Sequence, residues 1–323
     1  MNTESDLVTI IIPAYNEADN LPALVERVNK VLASQEPEFR FEVILLDNAS
    51  TDHTPDKAAE ICACDPRWKY LRYSRNFGLE ASLLAGLDHS AGDAVINLFS
   101  DLQDPPELIP EMLRLWKQGA DVVYGKLTKR NDGNLLKTLG AKIAYRMICS
   151  LSDCKIVPGA TDFRLMSRKV VDNLRLMREP DRYMRGLVHW VGYNQVPLVY
   201  ERARRTRGES SARLFYCIKF ALHAMICFSS KPLQIVTLFG LAITGVSMLL
   251  GMLYMVLFFA RPSFLAPPPP GITTIFLMLL FMIGSNALFL GIIGAYIGRI
   301  YNQGKGRVLY IVDKKINFQQ PPR

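Results

Sequence analysis

Three short stretches carry acids where chemistry could be done: PAYNE at 13–17, LDNASTD at 46–52 and FSDLQDPPE at 99–107. Each follows an apolar, β-branched-rich run that reads as a strand. The strand exits would then deliver Glu17, Asp47, Asp52 and Asp101 to one rim. Neither G-x-G-x-x-G nor G-x-x-x-x-G-K-[ST] occurs, so a dinucleotide fold or P-loop is not indicated. A phosphate site without a glycine-rich loop commonly relies on a divalent metal held by carboxylates. Mg²⁺ or Mn²⁺ needs only one or two of them beside the substrate phosphates. Within FSDLQDPPE, the spacing of Asp104, Pro105 and Glu107 predicts a capping-box-like helix start. Asp101 lies ahead of that cap, at the strand exit, where a carboxylate can face a crevice. It is the candidate metal ligand; a loop-ordering hydrogen bond is the alternative.

The elements that would position these acids alternate along the first 200 residues. LVTIIIP, FEVILLD, KYLRYS, DAVINLF and DVVYGK read as strands. Helical spacing is predicted over NLPALVERVNKVLAS and near 78–90, 106–118 and 134–151. Such alternation implies an α/β domain with a mostly parallel, doubly wound, Rossmann-like sheet. Ligands in such sheets lie beyond the carboxyl ends of the strands.

The last third differs. Residues 233–260 and 272–297 contain no Asp, Glu, Lys, Arg or His. Each run exceeds the roughly 20 residues of a membrane helix, and core helices are rarely uncharged for so long. The connector RPSFLAPPPPG carries one charge, Arg261, while both outer flanks are rich in Lys and Arg. That asymmetry predicts a two-helix transmembrane hairpin with both flanks on the cytoplasmic side. It also accounts for much of the net charge of +8; nucleic-acid binding is not indicated, because the basic residues gather beside apolar runs where anionic lipid attracts them. The expected organisation is a catalytic domain at 1–209 and an amphipathic interfacial helix at 210–231. The transmembrane pair then fills 232–298, and a cytoplasmic basic tail occupies 299–323. The six cysteines form no C-x-x-C pair and fit a reducing compartment.

IIIPAYNE, DNASTD, YSRNFG, DLQDPPELIP, TDFRLMSRKVV and RTRGES, in this order and followed by two apolar runs, resemble the polyisoprenyl-phosphate glycosyltransferases of glycosyltransferase family 2. These include bactoprenol glucosyltransferases, undecaprenyl-phosphate aminoarabinose transferases and dolichol-phosphate mannose synthases. The resemblance covers nearly the whole chain. It implies a GT-A fold, a nucleotide-diphosphate sugar donor, Mg²⁺ or Mn²⁺, and a polyprenyl phosphate acceptor such as undecaprenyl phosphate. The setting would be the lipid bilayer of a bacterial inner membrane, the chain a homo-oligomer, a tetramer by family precedent, and the product a lipid-linked sugar for the cell envelope. Carried over residue by residue, Pro13, Ala14, Tyr15 and Glu17 line the nucleotide pocket, with Asp47 near the base or ribose. Asn48 stands where it could alter sugar choice. Asp101 is the metal-binding acid of the D-x-D region, Gln103 lies beside it, and Asp162 matches an acid at the reaction centre. Arg202, Arg205 and Ser210 match a segment that closes over phosphates near the membrane.

Two departures stand out. Asp47-Asn48-Ala49-Ser50 replaces the frequent Asp-Asp-Gly-Ser, and Phe99-Ser100-Asp101 replaces Asp-Ala-Asp. The second leaves Asp101 as the main carboxylate. The expected reaction is an inverting displacement by a lipid phosphate oxygen. The arginines of RARRTR are suited to bidentate phosphate contact, although positive-inside charge alone would also explain them. A processive polysaccharide synthase fits less well, with only two spans and no Q-x-x-R-W. A catalytically inactive scaffold is supported only by Phe99 and Asn48, and one hairpin is a poor pathway for a transporter.

Overall fold

The computed structural model describes residues 5–36, 38–127, 157, 159–180, 182–201 and 272–318, with scattered positions between 238 and 256. The chain divides into two units. One comprises 1–145, 154–217 and 307–323; the other comprises 146–153 and 218–306.

The first unit is built on an eight-stranded sheet in the order β7-β5-β6-β4-β1-β2-β3-β8. Strands β1 (Asp6–Ala14), β2 (Phe39–Asp47), β3 (Trp68–Tyr73) and β4 (Ala94–Asn97) are mutually parallel. Their sequences are near-continuous apolar runs, as expected where both faces are covered. Helices α1 (Leu21–Gln35), α2 (Thr54–Cys64), α3 (Leu79–His89) and α4 (Ile109–Lys117) make the crossovers. Ile10, Ile12, Val43, Leu45, Ile96 and Leu165 build the core on one face, with Leu24 and Val28 of α1 and Met112 of α4. On the other face α3 lies close against β1 and β2. Gly86 makes that approach possible: a Cβ there would come within 2.8 Å of Ile11 Cδ1 and Leu46 Cδ1.

The expected mostly parallel sheet is in fact mixed, with four parallel and three antiparallel pairings. β6 (Ala160–Ser167) runs antiparallel between β4 and β5 (Val122–Leu127), and β7 (Gln195–Tyr200) pairs parallel with β5. Helices α5 (Arg168–Leu176) and α6 (Met184–Trp190) follow β6. β8 (Val312–Ile316) lies in the stretch read as a basic tail; it pairs antiparallel with β3 and closes that edge. It is seated by Tyr310 Oη donating to Asp88 Oδ2 at 2.8 Å. Asn317 adds bonds to the Cys62 and Trp68 carbonyls at 2.7 and 2.8 Å.

In the second unit, α7 (Ile272–Gly304) is one helix of 33 residues. It is about 50 Å long at 1.5 Å per residue. It contains the whole second predicted span, and Arg299 is its only charged residue. Ile275, Met278, Met282, Leu290 and Ile297 are exposed along it. Taken over the described residues alone, no helix is long and apolar enough to cross a membrane. The helix predicted at 134–151, the interfacial helix at 210–231 and the connector 261–271 lie outside the described residues, as does most of 233–260.

Candidate active site

The parallel registers Ala14↔Asp47 and Ile11↔Asn97 bring the exits of β1, β2 and β4 side by side, as the sequence predicts. Each exit loop contains one non-glycine residue at positive φ: Asn16 at 56°, Ala49 at 60° and Leu102 at 57°. Left-handed backbone is costly for L-residues other than Gly, Asn and Asp, and such strain gathers where function demands a fixed loop shape. At Ala49 a glycine would adopt the same left-handed backbone without the Cβ penalty.

The loops are laced together. Ser100 Oγ donates to the Pro13 carbonyl at 3.0 Å, and Asn48 N to the Ala14 carbonyl at 3.0 Å. Asn16 N donates to Ser50 Oγ at 3.0 Å, and Glu17 N to Thr54 Oγ1 at 3.0 Å. Asp52, delivered to the rim as expected, accepts the amides of Ala18 and Thr54 at 3.1 and 3.0 Å; its role is to order these loops. Pro13 and Ala14 are buried, Tyr15 is 46% exposed on the rim, and Glu17 is half-buried, with Oε2 accepting from Asn20.

Asp47 is fully buried, its carboxylate taken by Ser50 N at 2.8 Å, Tyr70 Oη at 2.6 Å and Arg72 Nη1 at 3.2 Å. Burial, the Asp47 hydrogen bond and its charge push the Tyr70 phenol well up, so it stays a donor. Asn48 works as a clamp. Its Nδ2 donates to Asn76 Oδ1 at 2.9 Å and its Oδ1 accepts the Phe77 amide at 2.8 Å, while Asn76 Oδ1 also takes the Gly78 amide. Both ends of the Asn48 amide therefore fix the RNFG loop.

Asp101 is half-buried at the β4 exit. One oxygen accepts the Gln103 amide at 3.2 Å in a local turn, and the other has no partner among the described residues. The capping-box expectation for Asp104 and Glu107 is corrected. The helical segment begins with a 3-10 turn at Pro106–Leu108, preceded by Pro105 with no side-chain cap. Asp104, with none of its surface exposed, instead accepts from Tyr200 Oη at 2.5 Å, while Glu107 pairs bidentately with Arg27 at 2.9 and 2.7 Å. Their roles are structural, through different bonds. Tyr200 reaches Asp104 over Gly125, where a Cβ would come within 2.7 Å of its ring.

On the opposite side of β4, the antiparallel register Asn97↔Arg164 carries Phe99 and Asp162 toward the same rim. Asp162 is nearly buried and ion-paired. Arg185 donates to its Oδ2 from Nε at 2.8 Å and Nη2 at 2.6 Å, and Arg164 Nη2 meets Oδ1 at 3.2 Å. Burial pulls the Arg185 guanidinium down, but the Asp162 bonds and charge outweigh it and hold Arg185 firmly cationic. Both amide atoms of Asn97, Nε of Arg164, and Nε and Nη1 of Arg182 are buried without a partner among the described residues. Such atoms call for water or a polar ligand.

Sequence reasoning missed Glu80. It lies in the first turn of α3, with Oε2 accepting the Met184 amide at 2.9 Å. Burial and the charge of Asp162 raise its carboxyl to about 7, against the Met184 bond, Arg182 and Arg185. Arg202, Arg205 and Ser210 lie outside the described residues.

Among the described residues no group of three or more His, Cys, Asp or Glu forms a metal cage. Asp101, with one carboxylate oxygen unpartnered among the described residues, would suit a divalent ion shared with substrate phosphates and water.

The sequence profile of glycosyl transferase family 2 matches residues 9–175, from β1 through nearly all of α5. The chain belongs to that family. This glycosyltransferase is 35% identical to an uncharacterized glycosyltransferase of Bacillus subtilis, over 96% of this chain and 94% of that one. It is 34% identical to the SfII prophage-derived bactoprenol glucosyl transferase of Shigella flexneri, over 95% and 97% of the two chains. A prophage bactoprenol glucosyl transferase homolog of Escherichia coli K12 is 33% identical over 95% and 98%. Among solved structures, mannosyl-3-phosphoglycerate synthase from Rubrobacter xylanophilus is similar at a TM-score of 0.47 and 16% identity, covering 69% of this chain and 73% of that one.

Proposed function

We propose that this glycosyltransferase moves a sugar from a nucleotide diphosphate to a membrane polyprenyl phosphate, with inversion at the anomeric carbon. One observation carries the acceptor assignment. Relatives named bactoprenol glucosyl transferase match about 95% of the chain, so the similarity extends through the apolar unit as well as the catalytic sheet.

In this reading a phosphate oxygen of the lipid attacks the anomeric carbon. The bond to the donor diphosphate breaks, and its electron pair leaves with the nucleoside diphosphate. The acceptor is already anionic near neutral pH, so no strong base is needed. Asp162, ion-paired with Arg185 and Arg164, orients groups and faces the positive charge that develops at the anomeric carbon. Asp101 would hold Mg²⁺ or Mn²⁺, which when bound offsets charge on the leaving diphosphate. The arginines of 202–207 would close over phosphate, with Arg202, Arg205 and Ser210 as the candidates.

The membrane hairpin belongs to the same proposal. The chain leaves the sheet unit after Cys217 and rejoins it at Arg307, and β8 is hydrogen-bonded into the same sheet as β3. Any membrane crossed in between must be crossed an even number of times, and two helices at about 233–260 and 272–297 satisfy that. The basic flanks favour a cytoplasmic catalytic unit at a bacterial inner membrane, and we extend the proposal to a homo-oligomer.

The decisive experiment incubates purified protein with labelled nucleotide sugars and undecaprenyl phosphate, with and without EDTA. A chelator-sensitive, lipid-extractable labelled product is expected. No such product from a broad donor panel would favour a scaffold role instead.

A further inference from the structure

Glu80 and Met184 are 104 positions apart in sequence but are joined by a 2.9 Å hydrogen bond. Met184 opens α6, and the next residue is Arg185, whose guanidinium grips Asp162 through two bonds. On its other side, Glu80 follows the RNFG loop by two residues, and that loop is clamped by Asn48 through Asn76 and Phe77. A chain of short links thus runs from the β2 exit through the loop to Glu80, and on through Met184 and Arg185 to Asp162. Among the described residues, Asp162 is the acid whose charge acts on Glu80, while Glu179 and Asp88 act on the neighbouring Arg182. The remaining ionisable groups facing Glu80 are Arg164 on β6, Arg182 and Tyr183 ahead of α6, and Arg185 within it.

We propose that Glu80 is a positioning residue of the transfer reaction: its carboxylate holds the start of α6 so that Arg185 stays seated on Asp162 while the RNFG loop is clamped over the donor side. The role in catalysis rests on the sugar-transfer reading above; the tether itself does not. Two features separate this role from ordinary helix anchoring. The acceptor atom is a carboxylate where a neutral oxygen would satisfy one amide equally well. It also faces three guanidiniums, two of which keep buried nitrogens without partners among the described residues. Ionisation of Glu80, raised toward neutrality by burial and Asp162, therefore changes the charge around the very arginine that orients Asp162.

The test compares Glu80→Ala and Glu80→Gln with the wild-type protein in lipid nanodiscs. Hydrogen exchange over residues 184–190 needs no substrate. It should speed up by about 10-fold or more in Glu80→Ala and stay near wild type in Glu80→Gln, which keeps an acceptor oxygen. In turnover, Glu80→Ala should lose about 10-fold or more in kcat with nucleotide affinity within about 3-fold, and Glu80→Gln should recover most of that loss. The ratio of wild-type to Glu80→Gln kcat/KM should change several-fold between about pH 6 and pH 8. The acceptor's own phosphate titration is common to both proteins and cancels in that ratio.

Unchanged exchange in Glu80→Ala would overturn the tether. Faster exchange with undiminished kcat, a Glu80→Gln variant as impaired as Glu80→Ala, or a flat pH ratio would each overturn the positioning role. If Glu80→Ala does not fold, Glu80→Gln and its pH ratio decide the role. If wild type makes no lipid-linked product, the acceptor reading fails and the exchange measurement alone decides the tether.

Discussion

Arg185 holds Asp162 in a fork, with Nε at 2.8 Å and Nη2 at 2.6 Å from the same carboxylate oxygen. Arg164 takes the other oxygen from within β6. An acid so paired is set in orientation and charge before substrate arrives, which suits electrostatic preorganisation better than proton abstraction.

Asp162→Asn should lower kcat by about 100-fold or more with donor KM within about 3-fold, because the interaction it removes matters most in the transition state. Arg185→Lys, which loses the bidentate fork, should cost about 10-fold, and the double variant should be no worse than Asp162→Asn alone. Steady-state kinetics of the four proteins checks this; strictly multiplicative losses would show that the two residues act separately.

With Phe99, not a second acid, two positions before Asp101, metal affinity in the absence of donor should be weak. EDTA should abolish transfer, and Mg²⁺ or Mn²⁺ should restore it. Phe99→Asp should lower the metal concentration for half-maximal activity by about 10-fold, through a second carboxylate on a hard cation. Asp101→Asn should not be rescued by excess metal. Metal titrations of activity read all three; EDTA-resistant transfer would remove the ion from the mechanism.

Asn48→Ala deletes both bonds to the RNFG loop. It should destabilise the protein by about 1–2 kcal/mol and raise donor KM several-fold without changing which sugar is used. Thermal melts together with a donor panel make the comparison. Altered sugar preference at constant KM would return Asn48 to a sugar-reading role.

Glu80 also predicts a dependence of stability on pH. Its carboxyl is raised from 4.5 to about 7 by burial and Asp162, so the folded state retains a proton that the unfolded chain releases. Stability from this group therefore falls as pH rises through that window, and the cost is complete above it. Glu80→Gln has no such cost. Its melting temperature should gain on wild type between about pH 5 and pH 8, and differential scanning fluorimetry at several pH values would show whether the gap opens.

The donor side was legible in the sequence because β1, β2 and β4 are apolar runs ending in acids, and parallel pairing puts such ends on one rim. The capping-box reading of Asp104 failed because a tertiary partner, Tyr200, lies 96 residues away. β6 was not read as a strand because ATDFRLMS carries Asp162 and Arg164. Those charges are tolerated inside only because they pair with each other and with Arg185. Glu80 carries no sequence signal beyond being an acid in the helix predicted near 78–90, and its partner, the Met184 amide, lies 104 positions away. VDKKI read as tail because Lys314 and Lys315 are polar, yet lysines are what sheet edges use to discourage pairing with other chains.

The position of β8 in the chain imposes an order on biogenesis. The ribosome completes β3 long before it makes β8, and the whole apolar unit at 218–306 is synthesised between them. Until that unit has emerged, the edge of β3 stays bare. Ser74, which leads into the RNFG loop, lacks the Ile311 carbonyl its amide will meet at 3.0 Å. A nascent chain stalled before residue 312 would thus carry a nearly complete catalytic sheet with an open, aggregation-prone edge. The sheet becomes whole only after its apolar unit has been made, so maturation of the enzyme follows synthesis of the segment proposed to anchor it.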